Sequence, residues 1–139
     1  MNKNLVRPIG SCTVDNLIAK LTPAAETFGI TIRKEGSAET TYKRGTILAM
    51  SSRDGKCVIL GTTAQAAVTD GSPVAAEELT PHCILSDDVT VGKAADAVAV
   101  AYRCGNFNRA AVIVKSGYTL SAADEDTMRK YDIILTDMM

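Results

Sequence analysis

The sequence has no tryptophan, two phenylalanines and four tyrosines, set among many alanines, valines, isoleucines and threonines. Small and β-branched residues suit strands packed closely together better than a large aromatic-lined pocket, so the composition leans against an enzyme for small molecules. Excess charge of either sign is also missing: fifteen basic residues against sixteen acidic ones leave a formal −1. No long-range field draws phosphate backbones or anionic lipid, and a single-strand groove needs a basic track with stacking aromatics. Direct nucleic-acid binding is therefore not expected. No apolar run approaches the ~20 residues of a membrane span, and MNKNLVRPIGSCTV lacks the continuous apolar segment of a secretory signal. The expectation is no membrane partner and synthesis in a cytosol-like compartment.

Reactive motifs are equally scarce. Cys12, Cys57, Cys83 and Cys104 stand far apart with no C-x-x-C pair, which indicates neither a zinc knuckle nor a redox motif and predicts buried free thiols. His82 is the single histidine, so any Ser-His or Cys-His nucleophilic site must use it. In a strand its neighbour Cys83 points to the opposite face, which favours a structural or surface histidine. Gly55-Lys56 and Gly92-Lys93 lack the earlier glycine and the following Ser/Thr of a P-loop. The acidic groups Glu77-Glu78, Asp87-Asp88 and Asp124-Glu125-Asp126 lack the spacing of a calcium loop. No catalytic residue, cofactor or metal site is predicted, and a binding or structural role is.

At 139 residues and 46% hydrophobic content the chain suits one domain with a real core. Residues 1–27 show no sustained period and read as an extended N-terminal arm with a turn around Asp15–Leu21; residues 28–139 read as a β-rich domain. FGITIRKE places Phe28, Ile30 and Ile32 on one face and Thr31 and Arg33 on the other, the pattern of a half-buried strand. TILAM and KCVIL, joined by SSRDG, predict a hairpin turning at Asp54-Gly55. Residues 61–81 read as a long surface connection.

AVAVAY sets Val98, Val100 and Tyr102 on one face and Ala97, Ala99 and Ala101 on the other. The shallow alanine face suits close approach of a second layer, from the same chain or from a neighbouring subunit. YRCGNFNR then predicts a second hairpin turning at Gly105-Asn106. Five residues there form a candidate interface: Arg103, Asn106, Phe107, Asn108 and Arg109. The polar side chains fix the turn, Phe107 tucks back, and the two arginines either reach carboxylates across an interface or stand as solvated flanks. SAADEDTMRKYDIIL predicts a helix capped by Ser121 with Asp124 three residues on, i, i+4 pairs Glu125–Arg129 and Asp126–Lys130, packing through Met128 and Tyr131, and a last short strand. The expected class is mainly β (α+β) with one short C-terminal helix and an extended N-terminal arm.

The blocks TYKRGTILAM, ILSDDVTV, AVAVAYRCGNFNRAAVIVKSGYTLS and DTMRKYDIILTD, in this order, resemble the head decoration proteins of tailed bacteriophages, of the lambda type. The likeness covers residues 28–139, and its most specific pieces are Tyr42-Lys43-Arg44-Gly45 and Gly105-Asn106-Phe107-Asn108. The resemblance implies a small β-barrel or β-tulip-like domain that forms homotrimers on the outer surface of the expanded capsid, as a structural virion protein made in the host cytoplasm. It would clamp neighbouring subunits of the major capsid protein against the pressure of packaged DNA. It also implies that the N-terminal arm adds to a strand of the capsid protein. The arm here, with Leu5, Val6, Pro8, Ile9 and Val14 as candidate contacts, departs from lambda's in sequence. An arm with apolar pairs and no core of its own suits edge-strand addition; the other reading is that residues 5–21 pack on their own domain. The alternative function is a small β-barrel binding module or non-catalytic enzyme subunit.

Overall fold

The computed structural model describes residues 16–34 and 36–137. In chain order the elements are β1 (Ile18–Lys20), β2 (Glu26–Ile32), β3 (Thr40–Tyr42), β4 (Ile47–Ser51), β5 (Cys57–Ile59), β6 (Leu79–Leu85), β7 (Val89–Val91), β8 (Ala97–Asn108), α1 (Ala122–Arg129) and β9 (Ile133–Thr136). Strands β8, β2, β5, β4 and β6 pair in that order, and β6 pairs back to β8, closing a five-stranded barrel. Closure leaves no open edge around that ring. The mainly β class, the barrel and the one short C-terminal helix are as the sequence predicts.

The first hairpin also forms where its turn chemistry places it. Leu48 faces Ile59 and Met50 faces Cys57 across antiparallel β4 and β5. Gly55, at φ +69°, supplies the left-handed turn residue. The second hairpin does not form. AVAVAYRCGNFN is one twelve-residue strand, β8, that runs straight through Gly105 and Asn106. Its first part belongs to the barrel beside β2, and its last part, Gly105–Asn108, lies between β1 and parallel β9. The polar residues that suggest a turn are used in the interior instead: the Asn106 amide donates to Thr22 O at 3.3 Å and its carbonyl oxygen accepts from the Thr136 hydroxyl.

The alanine face of β8 is the inner one. Ala99 and Ala101 are buried, whereas Val98 and Val100 face outward. A five-stranded barrel is narrow, and filling it with Ile30, Ile32, Tyr42, Leu48, Leu85 and Val91 leaves room for methyl groups only along β8. The close second layer therefore comes from the same chain. Cys57 and Cys83 are buried in this cluster. A hydrogen bond with Cys57, reinforced by burial, raises the pKa of the Cys83 thiol. Cys104 is half-buried, and Cys12 lies outside the described residues.

A second cluster, with Leu17, Ile47, Ile84, Phe107, Met128 and Ile133 at its centre, is sealed by α1 and by residues 111–120. Ser121 accepts from Asp124 N at 3.1 Å and Asp124 accepts from Ser121 N at 3.1 Å, a complete capping box. Met128 is the residue by which the helix reaches the core, as predicted, while Tyr131 stays half exposed. The expected i, i+4 pairs are replaced: Arg129 pairs with Asp126, and Glu125 is taken by Arg109 at 2.5 Å. An eight-residue helix depends on its cap and its packing. Ser121→Ala is accordingly expected to lower the unfolding free energy by about 1 kcal/mol, measured as a lower urea midpoint at unchanged slope.

Residues 61–78 form the predicted surface connection, with an isolated bridge between Val68 and Val74. Its two legs are fastened to the barrel by side chains. Arg53 donates to Gln65 Oε1 at 2.7 Å, Ala66 O at 2.8 Å and Ala75 O at 2.8 Å. Glu77 is buried and accepts from Arg33 at 2.5 Å, from the Ser51 hydroxyl at 2.5 Å and from Gln65 N at 3.2 Å. These bonds give a segment with almost no apolar anchor a fixed path across the barrel surface.

Candidate functional site

Part of the outer face of the β2–β8 ribbon carries no charge. Gly29 faces Val100 and Thr31 faces Val98 in register, and Val98 and Val100 are 81% and 45% exposed. Beside this face runs an aromatic row: His82 lies between Phe28 and Tyr131, with ring centroids 5.7 Å and 6.1 Å away in edge-on geometry. Phe28, His82, Val98, the half-exposed Met50 and the charged Asp54 and Lys56 line an open cleft of about 490 Å³. Burial lowers the pKa of His82, which favours its uncharged form. Cys83, the next residue, faces the core as the alternation predicts. Exposed valines beside such a cleft suit association with another protein surface. The valines were legible as one face; the row of Phe28, His82 and Tyr131 was not, because it joins residues far apart in the sequence.

A second feature is the root of the N-terminal segment. Leu17 is buried, its carbonyl accepts from Asn108 N at 2.8 Å, and β1 pairs Ile18 with Phe107 and Lys20 with Asn106. The stretch Asp15–Leu21, expected to turn, thus contains a strand bonded to β8. Among the described residues the other edge of β1 has no strand partner. The candidate contacts Leu5, Val6, Pro8, Ile9 and Val14 lie outside the described residues.

The five candidate interface residues do not gather on one surface. Phe107 is in the core and Asn106 is buried beside it. Asn108 caps a 3-10 turn, accepting from Ala110 N at 3.1 Å. Arg103 is exposed, with Glu26 at 3.5 Å. Arg109 donates to Glu125 and to Leu135 O, and pairs with Asp137, so its nearest carboxylates belong to its own chain. Among the described residues no group of His, Cys, Asp and Glu is arranged to hold a metal, and no helix is long and apolar enough to cross a membrane.

Taken together, the site is a barrel with an uncharged flank at Val98 and Val100 and a tethered N-terminal root. Comparison with known families gives this a setting. The model of the family described as bacteriophage lambda head decoration protein D matches residues 10–132. The chain belongs to that family. No curated protein matches it. As a head decoration protein it is a structural component of the phage virion that binds the capsid, and the family is in general non-enzymatic. The match begins inside the N-terminal segment and runs across every barrel strand, α1 and the close of the α1–β9 turn. The residues 28–139 singled out by the block order are thus almost wholly inside it.

Proposed function

We propose that this decoration protein acts as a homotrimer on the outer surface of the expanded phage head, where it binds the major capsid protein and holds the shell against the pressure of packaged DNA. The observation that carries this reading is the uncharged face of Val98, Val100, Gly29 and Thr31 on a protein of the head decoration family. Burying such a face between copies stabilises an oligomer without help from any reactive group. The N-terminal arm, expected over residues 1–27, binds the capsid through the part ahead of Leu17, with Leu5, Val6, Pro8, Ile9 and Val14 in contact, while Leu17 and β1 pack on the domain and fix where the arm leaves it. Edge pairing of such an arm supplies main-chain hydrogen bonds, and side chains set its register. Arg103, exposed on β8, supplies a further polar contact from the surface. Three arms on one trimer convert weak single contacts into strong attachment through effective concentration.

The experiment is native mass and shell binding of the wild type and of Val98→Asp. The wild type is expected to be trimeric and to bind expanded but not immature shells. An aspartate at Val98 places a charge in the interface at a cost of roughly 3 kcal/mol or more per contact, so the variant is expected to run as a monomer at micromolar concentration. A wild-type monomer that ignores expanded shells would overturn the proposal.

A further inference from the structure

A cleft of about 430 Å³ opens between the end of β2, the start of β3 and the segment after Val114. It is unlike the uncharged flank. Arg33, Lys34 and Lys115 line it together with Thr40, Thr62 and Ser116, and no carboxylate does among the described residues. The state of these groups matters more than their number. Arg33 is occupied, donating to Glu77 and Asp54. Lys34 and Lys115 are exposed and make no salt bridge, a condition shared among the described lysines only by Lys20, Lys93 and Lys130. Asp96, which accepts from Lys34 N at 2.8 Å, holds the Lys56 ammonium at 2.6 Å. The Thr40 and Ser116 hydroxyls make no hydrogen bond within the described chain, whereas that of Thr62 donates to Ile59 O at 2.8 Å.

Among the described residues, two ammonium groups outside any salt bridge and two hydroxyls without a hydrogen bond therefore line one concave site, in a protein whose charges otherwise nearly cancel. A concave wall strengthens the field of both cations over that of isolated surface lysines. The chemistry selects oxyanions, and lysines with flanking hydroxyls receive carboxylate and phosphate alike, by point charge and single hydrogen bonds. The formal −1 of the whole chain supplies no long-range field for a phosphate polymer, which favours the carboxylates of a protein segment.

We propose that this cleft binds an acidic segment of a protein partner, with two carboxylates received by Lys34 and Lys115 and steadied by Thr40 and Ser116. The inference goes beyond the decoration reading and needs no shell for its test. Nitrogen-15 NMR of the full chain, titrated with a short peptide carrying two glutamates and separately with inorganic phosphate, reads the site directly. The peptide is expected to saturate and to shift the amides of Lys34, Thr62 and Ser116. Its affinity is expected to fall about tenfold in K34Q/K115Q, to return in K34R/K115R, and to be unchanged in K93Q/K130Q. All these lysines are exposed, so equal melting temperatures are expected and binding is compared between folded proteins. Equal peptide affinity in the wild type and K34Q/K115Q would overturn the proposal, as would phosphate saturating these amides at lower concentration than the peptide.

Discussion

Gly105→Ala is expected to lower the unfolding free energy by about 4 kcal/mol, the sum of a backbone cost and a packing cost of comparable size. Gly105 sits in mid-strand at φ +145°, where L side chains are strained. A β-carbon there would lie 2.8 Å from Phe107 Cζ, 3.0 Å from Phe107 Cε2 and 3.3 Å from the Ala25 backbone. The Phe107 ring is fully buried and packed against Tyr102, with centroids 5.4 Å apart, so it cannot swing aside without disturbing the second core cluster. Gly92 is the internal control. It follows β7 with nothing within 4 Å of where a β-carbon would sit and no left-handed backbone; Gly92→Ala should be neutral or stabilising by roughly 0.5–1 kcal/mol. Guanidinium denaturation of both variants decides the matter. Equal costs would show that Gly105 is only a flexible link and that the ring does not depend on the missing side chain.

The same glycine explains why part of the fold was illegible. Gly-Asn flanked by polar residues and two apolar runs is a strong local signal for a two-residue turn. What overrides it is tertiary: the glycine is needed so that Phe107 can fold under it, and Asn106 finds Thr22 and Thr136, residues that lie far off in the sequence. Where the information is local the reading holds. Asp54-Gly55 turns a hairpin, Ser121 with Asp124 caps the helix, and Met128 is its buried residue. The alternation of β8 assigned the valines and alanines to opposite faces, but alternation is symmetric and does not say which face is inside. The narrow bore of a five-stranded barrel decides that, and the number of strands is a property of the closed sheet. For the same reason the uncharged flank was half legible. Val98 and Val100 could be paired from sequence, whereas His82, Phe28 and Tyr131 meet only because β6, β2 and the end of α1 are neighbours in space.

Charge pairing was the least legible layer, and its consequence is the second large effect. Glu77 reads in sequence as one of two adjacent loop acids, which are ordinarily solvated. In the structure its side chain is 0% exposed and bound by Arg33, a residue 44 positions away. Glu78, its neighbour, is exposed. The Arg33 bond, helped by the Ser51 hydroxyl and Gln65 N, pulls the Glu77 pKa from 4.5 down to about 2. A carboxylate with a depressed folded-state pKa stabilises the protein at pH above 4.5, and that contribution is lost as pH falls from 4.5 toward 2. The size of the shift corresponds to about 3 kcal/mol.

Glu77→Gln keeps the shape, can still bond Ser51 and Gln65, and removes the charge. It is expected to cost about 3 kcal/mol near pH 7, where breaking a buried pair leaves a guanidinium short of its partner. Asp54 stays at 3.2 Å from Arg33 but is itself partly exposed and does not replace a buried carboxylate. The pH series separates this account from a packing defect. Asp54 and Asp96 also have lowered pKa values, so the wild type and the variant both lose stability in acid. The quantity that matters is the gap between them, which should shrink to a small remainder by pH 2. A packing defect would keep the gap constant with pH, because a cavity or a clash does not titrate. A constant gap would therefore remove the ion pair from the explanation of how residues 61–78 are held to the barrel, and would leave Arg53 as their fastening.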